Sequence, residues 1–237
     1  MQSVWPPSPG QPDLEAIYAY PEGLTRPWVQ VNFVASADGA VEIDALSAGL
    51  SHTADREVFL LGRDLSDVVL VGAGTARAED YRGVRTGAKH VERRRRLGLA
   101  DVPPIAVITK TADLDPASRL FTDTHVPPIV ITTAAAETAP LEQAGAEIIR
   151  AEDLPRALEK LADRGLYRID CEGGPGLFGD LIAADLVDQL CLTVAPLLTG
   201  GGAGRIAAGP PSPPRALELA SILTEDGFTF LRYRRHR

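Results

Sequence analysis

The feature that most constrains the fold is an alternation of short apolar runs with amphipathic helical segments. Val68 to Val71 is such a run, and it follows a helical segment that begins at Thr53. A run that is apolar at every position is typical of a parallel strand buried on both faces. The same order recurs, with predicted strands at Ile105 to Thr109, Ile129 to Thr132, Arg168 to Cys171 and Leu190 to Val194. This alternation predicts an α/β layer fold with helices on both faces of a parallel sheet.

Two further patterns indicate how the sheet begins and ends. The segment from Trp28 to Ser36 alternates apolar with polar residues, as a half-buried strand does. Near the C-terminus, Leu217 to Leu223 and Phe228 to Tyr233 flank Glu225-Asp226-Gly227, which is typical of an antiparallel hairpin. We therefore predict a three-layer α/β/α fold with a mixed, mostly parallel sheet and a C-terminal antiparallel hairpin.

The length of 237 residues allows one large domain or two small ones. The Pro-rich connector Gly209 to Pro214 would detach only a hairpin, which cannot stand alone. Residues 1–25 are predicted to form an N-terminal tail and a short helix that Asp13 can cap. Residues 26–237 are predicted to form a single domain.

Charge and cysteine usage exclude several classes of protein. The chain carries 24 Lys and Arg against 32 Asp and Glu, for a net charge of −8, which opposes attraction to nucleic acid or anionic lipid. No stretch approaches the roughly 18 apolar residues that a membrane span needs. Cys171 and Cys191 each lie in an apolar run, as buried free thiols do. We expect a cytoplasmic protein with no nucleic-acid or membrane partner.

Other kinds of chemistry find little support. The four histidines, His52, His90, His125 and His236, are scattered, and neither cysteine stands at ligand spacing to them, so we expect no metal site. The nucleophile elbow of a serine hydrolase does not occur. The charge run Arg93 to Arg96 is interpreted as a solvated helix face.

Three glycine clusters follow predicted strands: Gly72-Ala73-Gly74-Thr75, Gly173-Gly174-Pro175-Gly176, and Gly200 to Gly204. Each could be a tight turn. At the carboxyl ends of strands, however, glycines let the backbone approach a phosphate, and a helix N-terminus presents free N–H groups. Three clusters together favour a nucleotide site, although none matches the dinucleotide fingerprint or the Lys-bearing phosphate loop. The chemistry is then that of a bound cofactor.

Several of these pieces also form one ordered pattern: Ser36-Ala37-Asp38-Gly39, Ser47, Leu60 to Arg63, Val69 to Thr75 with Glu79-Asp80 and Arg85, Glu172 to Pro175, Leu186 to Asp188, and Ala195 to Gly200. The pattern resembles the C-terminal reductase domain of the bifunctional riboflavin-biosynthesis deaminase/reductase, which has a dihydrofolate-reductase-like fold. It is most similar to the stand-alone actinobacterial members. The zinc deaminase signature is absent from this sequence.

The resemblance implies NADPH-dependent reduction of the ribose of 5-amino-6-(5-phosphoribosylamino)uracil to a ribityl chain, by a protein that is a homodimer. It implies substrate-binding roles for Ser47, Arg63, Arg85 and Glu172, in which the arginines pair with the substrate phosphate. It implies that Glu79 or Asp80 assists proton movement. The cofactor-binding residues that it implies are Val34, Gly49, Gly72, Gly74, Thr75, Glu79, Thr109, Lys110, Gly173, Gly174, Pro175, Gly176, Leu177, Phe178 and Gly179. Thr109 and Lys110 would lie at the adenosine 2′-phosphate.

Some of these residues also have purely structural interpretations. Arg63 could close its helix against the macrodipole, Glu172 could be a solvated strand-end carboxylate, and Ser47 could be a loop hydrogen-bonder. The sequence also departs from the family pattern at Ala40, Gly49 and Tyr81. Two alternatives therefore stay open: a pterin reductase acting on a compound such as dihydrofolate, and an NADPH-binding module without turnover. The exposed edge of the C-terminal hairpin is a possible dimer contact.

Overall fold

The computed structural model describes residues 1–44 and 46–235 and contains one sheet of ten strands in the order β1-β9-β10-β8-β2-β7-β3-β4-β5-β6. The six pairs from β8 to β6 are parallel, and the three pairs that join β1, β9, β10 and β8 are antiparallel. The strands are β1 (Gln2–Trp5), β2 (Trp28–Ser36), β3 (Val68–Gly72), β4 (Ile105–Ile108), β5 (Ile129–Thr132), β6 (Glu147–Arg150), β7 (Arg168–Cys171), β8 (Gln189–Ala195), β9 (Leu217–Glu225) and β10 (Phe228–Arg235).

Helices connect these strands and cover both faces of the sheet. They are α1 (Leu14–Tyr18), α2 (Thr53–Leu65), α3 (Ala73–Ala78), α4 (Ala88–Arg96), α5 (Arg119–Thr122), α6 (Ala139–Gln143), α7 (Leu154–Ala162) and α8 (Pro175–Ala183), with a 3-10 helix at Ser47–Leu50. None of the helices in the described ranges is long and apolar enough to cross a membrane.

The central strand β3 explains why the sheet is covered on both sides. Val68, Val69, Leu70 and Val71 are all fully buried. Val68 and Leu70 belong to the core shared with α7 and α8, whereas Val69 and Val71 belong to the core shared with α3. Alternate side chains of a strand point to opposite faces of the sheet. A strand that is apolar at every position is therefore stable only where both faces of the sheet are covered. The predicted layer fold is confirmed.

The N-terminal segment differs from its prediction as a tail. Gln2–Trp5 forms β1 and pairs antiparallel with β9, which covers the hairpin edge that the sequence left open as a dimer contact. Pro6 and Pro7 follow this strand directly, and the proline-rich composition of the N-terminal segment led to its prediction as a tail rather than a strand. The outer strands of the described sheet are therefore β1 and β6.

The interpretation of Arg93 to Arg96 as a solvated face is wrong for Arg94, which is fully buried. Its Nη1 donates to the carbonyls of Arg63 and Ser66 at 2.7 Å, and its Nε donates to the carbonyl of Ala100 at 2.6 Å. The last carbonyls of a helix lack intrahelical partners, so this guanidinium satisfies the C-terminus of α2. His236 and Arg237 lie outside the described residues.

The topology brings the carboxyl ends of four parallel strands to one edge of the sheet. The backbone N–H of Gly72, after β3, donates to the carbonyl of Gly173, after β7, at 2.7 Å. After β2 and β8, the carboxylate of Asp38 accepts from the backbone N–H of Gly200 at 2.8 Å. Hydrogen bonds from Ser36 and from backbone N–H groups lower the pKa of Asp38. Two of the three glycine clusters thus meet directly, and the third lies beside them.

Candidate functional site

A cleft of about 1140 Å³ opens at this edge of the sheet. It lies between the end of β2, the 3-10 helix, α2, the end of α3 and the end of β7. Pockets for one drug-sized ligand are typically about 300 to 1,000 Å³, so this cleft has room for more than one small molecule.

Many of the residues singled out from the sequence line this cleft: Val34, Ser47, Arg63, Thr75, Glu79, Asp80, Arg85, Glu172, Gly174 and Pro175. The other predicted site residues do not line it: Gly49, Gly72, Gly74, Thr109, Lys110, Gly173, Gly176, Leu177, Phe178 and Gly179.

A buried ion pair forms the inner wall of the cleft. Arg63, in the last turn of α2, places Nε 2.6 Å from Oε1 of Glu172 and Nη2 2.8 Å from Oε2. The Glu172 side chain is 1% exposed, so the interpretation of a solvated strand-end carboxylate is wrong. Burial lowers the pKa of Arg63, but the adjacent Glu172 charge outweighs burial and the net pKa is raised. Two nitrogens of this guanidinium are thus committed to a protein carboxylate.

Tyr81 completes this wall. Its hydroxyl donates to Oε2 of Glu172 at 2.7 Å, and the Arg63 guanidinium carbon lies 5.8 Å from the centre of its ring. Burial and the negative charge of Glu172 raise the pKa of Tyr81 well above its ordinary value, so the phenol stays protonated and donates. Phe59 lies under the same guanidinium, with its ring centre 4.5 Å from the Arg63 carbon.

The turn that ends α3 explains how Tyr81 reaches Glu172. The backbone N–H of Asp80 donates to the carbonyl of Arg77, and that of Tyr81 donates to the carbonyl of Ala76. Asp80 has φ +46°, so this turn is a Schellman motif with Asp80 at the left-handed position. The Asp80 side chain is 61% exposed and accepts from Nη1 of Arg119 at 2.9 Å. Its observed contacts are therefore those of a helix-ending residue at the rim.

Glu79 bonds to the 3-10 helix, another element that lines the cleft. Its Oε1 accepts from the backbone N–H of Ser47 at 2.9 Å, which joins the end of α3 to the 3-10 helix. The Ser47 hydroxyl has no partner among the described residues. A serine backbone fixed in this way presents its hydroxyl to whatever fills the cleft.

Arg85 lies at the rim, within an exposed group of charged side chains. Its guanidinium is paired with the carboxylate of Asp123, and Nη1 lies 2.5 Å from Nε2 of His125. Asp123 also accepts from Nη2 of Arg119 at 3.3 Å. Arg85 is thus already engaged, and a ligand phosphate at Arg85 would compete with Asp123.

The second glycine cluster forms a cradle that borders the cleft through Gly174 and Pro175. An added Cβ on Gly174 would come within 2.1 Å of the Thr75 hydroxyl, so a larger residue there would have to displace that hydroxyl. The next residues open α8, and Gly174 at its N-cap provides no side-chain hydrogen bond. The N–H groups of Gly176 and Leu177 therefore lie in a first helical turn, where intrahelical partners are absent and an anion is favoured. These residues fit a dinucleotide pyrophosphate, which needs close backbone approach and free N–H donors.

Other predicted cofactor residues have visible structural contacts. The side chains of Leu177 and Phe178 are buried in the core, and Phe178 stacks on Phe33 with ring centres 5.3 Å apart. A Cβ on Gly179 would come within 2.0 Å of the carbonyl oxygen of Ala208. The lack of a side chain at Gly179 therefore lets the connector before β9 pack closely against α8. A contact of Leu177 or Phe178 with a cofactor would have to come from the backbone.

Three more of the predicted cofactor residues, Gly49, Thr109 and Lys110, lie outside the lining of the cleft. Gly49 is exposed in the 3-10 helix, between Ala48 and Ser51, which line the cleft. Thr109 is buried just after β4, where its hydroxyl accepts from the backbone N–H of Ala112 at 3.1 Å. Lys110 is exposed beside it. Of these two, Lys110 is the one with a side chain free to meet a phosphate.

A buried carboxyl behind the inner wall was missed at the sequence level. Asp170 is fully buried two residues before Glu172, and neither of its oxygens has a hydrogen-bond partner among the described residues. A Cβ on Gly62 would come within 2.7 Å of Asp170 Oδ2, so Gly62 makes room for it. Burial and the charge of Glu172 raise the pKa of Asp170 well above its ordinary value, which favours the neutral acid. No spacing rule flags such a residue, because its strand reads as ordinary core.

The described residues contain no group of His, Cys, Asp and Glu side chains able to hold a metal ion. Cys171 and Cys191 are free and buried, and burial raises the pKa of each thiol to about 12. Neither thiol has the exposed, ionised character of a nucleophile.

Comparison with solved structures places this architecture among dihydrofolate-reductase-like proteins. Dihydrofolate reductase from Enterococcus faecalis superposes with a TM-score of 0.51 at 14% identity, over 89% of this chain and 97% of that one. A pyrimidine reductase-like protein from Corynebacterium diphtheriae superposes with a TM-score of 0.82 at 26% identity, over 94% of this chain and 98% of that one. The predicted fold class is confirmed.

The sequence comparison narrows this class to a family. The model of the RibD C-terminal domain family matches residues 27–227, so the chain belongs to that family. The 2,5-diamino-6-ribosylamino-4(3H)-pyrimidinone 5′-phosphate reductase of Methanothermobacter thermautotrophicus is 30% identical over 186 residues, which is 74% of this chain and 81% of the relative. The predicted resemblance and the enzyme class, an oxidoreductase, are confirmed. A reductase of this fold implies a nicotinamide cofactor and a small-molecule substrate.

Proposed function

We propose that the chain is an NADPH-dependent reductase of riboflavin biosynthesis that converts the ribose of 5-amino-6-(5-phosphoribosylamino)uracil into a ribityl chain. The observation that carries this proposal is the pairing of a cofactor cradle at Gly174 with the Arg63–Glu172–Tyr81 wall across one cleft. The archaeal relative is named for a substrate with an amino group at pyrimidine C2, where the uracil has an oxygen. Both compounds therefore belong in the test.

The cofactor is proposed to lie over the cradle, with its pyrophosphate at the N–H groups of Gly176 and Leu177. Thr75 and Val34 line the same cleft as Gly174 and would position the nicotinamide end. When bound, the nicotinamide supplies a hydride. Lys110 is proposed to pair with the adenosine 2′-phosphate, because it is exposed at the end of β4, next to β3.

The chain's own residues would position the sugar and supply the proton. Opening of the sugar ring moves the proton of the amine nitrogen to the ring oxygen, which becomes a hydroxyl, and leaves a double bond between C1′ and nitrogen. Reduction then consumes one hydride, which would add to C1′, and one proton, which would end on the nitrogen. Glu79 is the better placed of the two predicted carboxylates, because it lies beside the free Ser47 hydroxyl, whereas Asp80 is paired with Arg119 at the rim. The Ser47 hydroxyl would orient a sugar hydroxyl.

Purified protein mixed with NADPH and each pyrimidine should oxidise the cofactor, and dihydrofolate should not support oxidation. Turnover of dihydrofolate alone would make the protein a pterin reductase, and tight cofactor binding without any turnover would indicate a binding module. A Lys110→Ala variant should lose affinity for NADPH by about tenfold, as removal of one charge-assisted contact does, while its affinity for NADH stays unchanged.

We also propose a homodimeric, cytoplasmic protein. Val4 and Trp5 on the outer strand β1 are 51% and 52% exposed, which supports an interface at this edge of the sheet. The buried, unpaired thiols support a reducing compartment. Sedimentation equilibrium should give the mass of two chains, and a monomer mass would overturn the dimer.

A further inference from the structure

A second carboxyl lies directly behind the inner wall of the cleft. Asp170 is in β7 and Glu172 follows two residues later, so both side chains lie on the same face of the sheet. Helix α2 packs onto this face, because a Cβ on Gly62 would come within 2.7 Å of Asp170 Oδ2. The next residue of α2 is Arg63, which is bonded to Glu172. One guanidinium therefore faces two carboxyl groups.

The hydrogen bonds show which of the two carboxyls carries the charge. Glu172 accepts from Nε and Nη2 of Arg63 and from the Tyr81 hydroxyl. Asp170 is fully buried, and neither of its oxygens has a partner within the described part of the chain. A buried carboxylate without donors is costly, whereas a neutral acid is not. The proton therefore belongs on Asp170 and the negative charge on Glu172.

The neighbouring strands place amides, rather than a second cation, beside Asp170. The strand register puts Gln30 of β2 opposite Asp170, and Gln189 of β8 opposite Gln30. Gln189 Nε2 donates to Gln30 Oε1 at 2.5 Å. Arg234 of β10 ends this row, and its Nε donates to Gln189 Oε1 at 2.8 Å. Two amides thus separate Arg234 from Asp170, and the cation that acts on Asp170 is Arg63.

The other titratable groups around Asp170 keep their protons. They are Tyr20 before β2, Cys171 of β7 and Cys191 of β8. Burial raises the pKa of both thiols to about 12 and the pKa of the Tyr20 phenol well above its ordinary value. A change of charge behind the wall at mildly alkaline pH is therefore expected from Asp170.

We propose that Asp170 is a positioning residue whose retained proton keeps Arg63 paired with Glu172 alone, an assignment that rests on the proposed function. Once Asp170 ionises, two carboxylates compete for one guanidinium, and the two parallel bonds from Arg63 to Glu172 weaken. The added negative charge also opposes an anionic cofactor and an anionic substrate. Loss of this proton should therefore set the alkaline limit of the reaction.

The kinetic test measures kcat/KM from about pH 7 to about pH 9.5, below the ordinary pKa of tyrosine and lysine, with circular dichroism to show that each protein stays folded. Wild type should lose about tenfold per pH unit above one midpoint, as a single ionisation requires. Asp170→Asn places a neutral group of similar shape there and should lack this decline. Tyr81→Phe and Asp188→Asn should keep it, because Asp188 is a buried aspartate that pairs with Arg26 and does not line the cleft.

The NMR signal of the Arg63 Nε–H group gives a second readout that needs no turnover, and Arg63→Lys assigns it. In wild type this signal should shift with the same midpoint as activity, and in Asp170→Asn it should stay constant. If wild type reduces neither pyrimidine, the proposed function fails, and the wild-type titration still decides the role of Asp170. The same titration decides it if Asp170→Asn does not fold.

Three results would overturn the inference. They are an alkaline decline that persists in Asp170→Asn, a wild-type profile without a decline, and an Arg63 signal that does not change with pH in wild type. A decline that disappears only in Tyr81→Phe would also overturn it, and would assign the alkaline limit to the phenol.

Discussion

Arg63 and Glu172, which lie 109 residues apart in the chain, meet through two parallel hydrogen bonds of 2.6 and 2.8 Å. The pair joins the last turn of α2 to the carboxyl end of β7 and so fixes one wall of the cleft. Two buried charges of this kind are tolerated because each satisfies the other. The resemblance implies that Arg63 pairs with the substrate phosphate. In the structure, its guanidinium is instead paired with Glu172 and stabilises one wall of the cleft.

The first prediction concerns this pair. Glu172→Gln leaves the Arg63 charge without its partner in a largely buried place, so the free energy of unfolding should fall by about 3 to 5 kcal/mol. Urea denaturation measures the change. Arg95→Ala, which breaks an exposed pair with Asp101, should leave the urea midpoint nearly unchanged. A Glu172→Gln protein as stable as wild type would mean that the pair does not hold the wall.

The second prediction separates the Tyr81 hydroxyl from its ring. Tyr81→Phe keeps the ring that packs near Arg63 but removes a hydrogen bond to a charged group, so the protein should lose about 1.5 to 3 kcal/mol of stability. Tyr233→Phe is the matched control, because no hydrogen bond of the Tyr233 hydroxyl is seen among the described residues. Thermal or urea unfolding of the two variants should differ. Equal stability of the two would show that the Tyr81–Glu172 contact contributes nothing.

The third prediction tests the cofactor cradle. A methyl group at Gly174 would overlap the Thr75 hydroxyl, so Gly174→Ala should displace Thr75 and weaken NADPH binding by about tenfold or more, equivalent to about 1.4 kcal/mol. Gly202→Ala places its methyl in open space outside the cleft and should bind as wild type does. Fluorescence titration of the cofactor gives both affinities. Unchanged binding by Gly174→Ala would move the cofactor away from this cradle.

Much of the architecture could be predicted because periodicity reports burial directly. The run Val68 to Val71 is apolar at every position, and the structure buries it on both faces. The segment Gln2 to Trp5 gave no such signal, since its partner β9 lies more than 200 residues away in the chain and the pairing is decided by tertiary contact. Arg94 was hidden for a similar reason. Nothing in a run of four arginines shows which one turns inward to the carbonyls of another helix.

The strand ends that border the candidate cleft could be predicted, but the side-chain contacts within it could not. Gly72 and Gly173 follow strands, and the sheet brings those ends together. Sequence spacing does not predict which side chains form hydrogen bonds or ion pairs, so it could not give the partners of Arg63, Glu79 and Asp80. Tyr81 appeared in the sequence only as a departure from a family pattern, and in the structure it is bonded to Glu172.

The fourth prediction concerns pH and rests on Asp170. Its pKa is raised in the folded protein, so the folded state keeps a proton that the unfolded chain releases above about pH 4. The unfolded state then binds fewer protons, and this carboxyl lowers stability by up to about 1.4 kcal/mol per pH unit as pH rises toward the folded pKa. Asp170→Asn removes that dependence. Urea midpoints at pH 5, 6 and 7 should show the variant gaining on wild type as pH rises, and a constant difference would mean that Asp170 titrates normally.

The central claim is that one cleft brings a nicotinamide and a phosphoribosylaminopyrimidine together for direct hydride transfer to C1′. The most direct test uses NADPH deuterated at the transferring carbon, with the product analysed by NMR and mass spectrometry. We expect one deuterium at C1′ of a ribityl chain, with the pyrimidine ring unlabelled. Deuterium in the ring, or oxidation of the cofactor with no ribityl product, would contradict it.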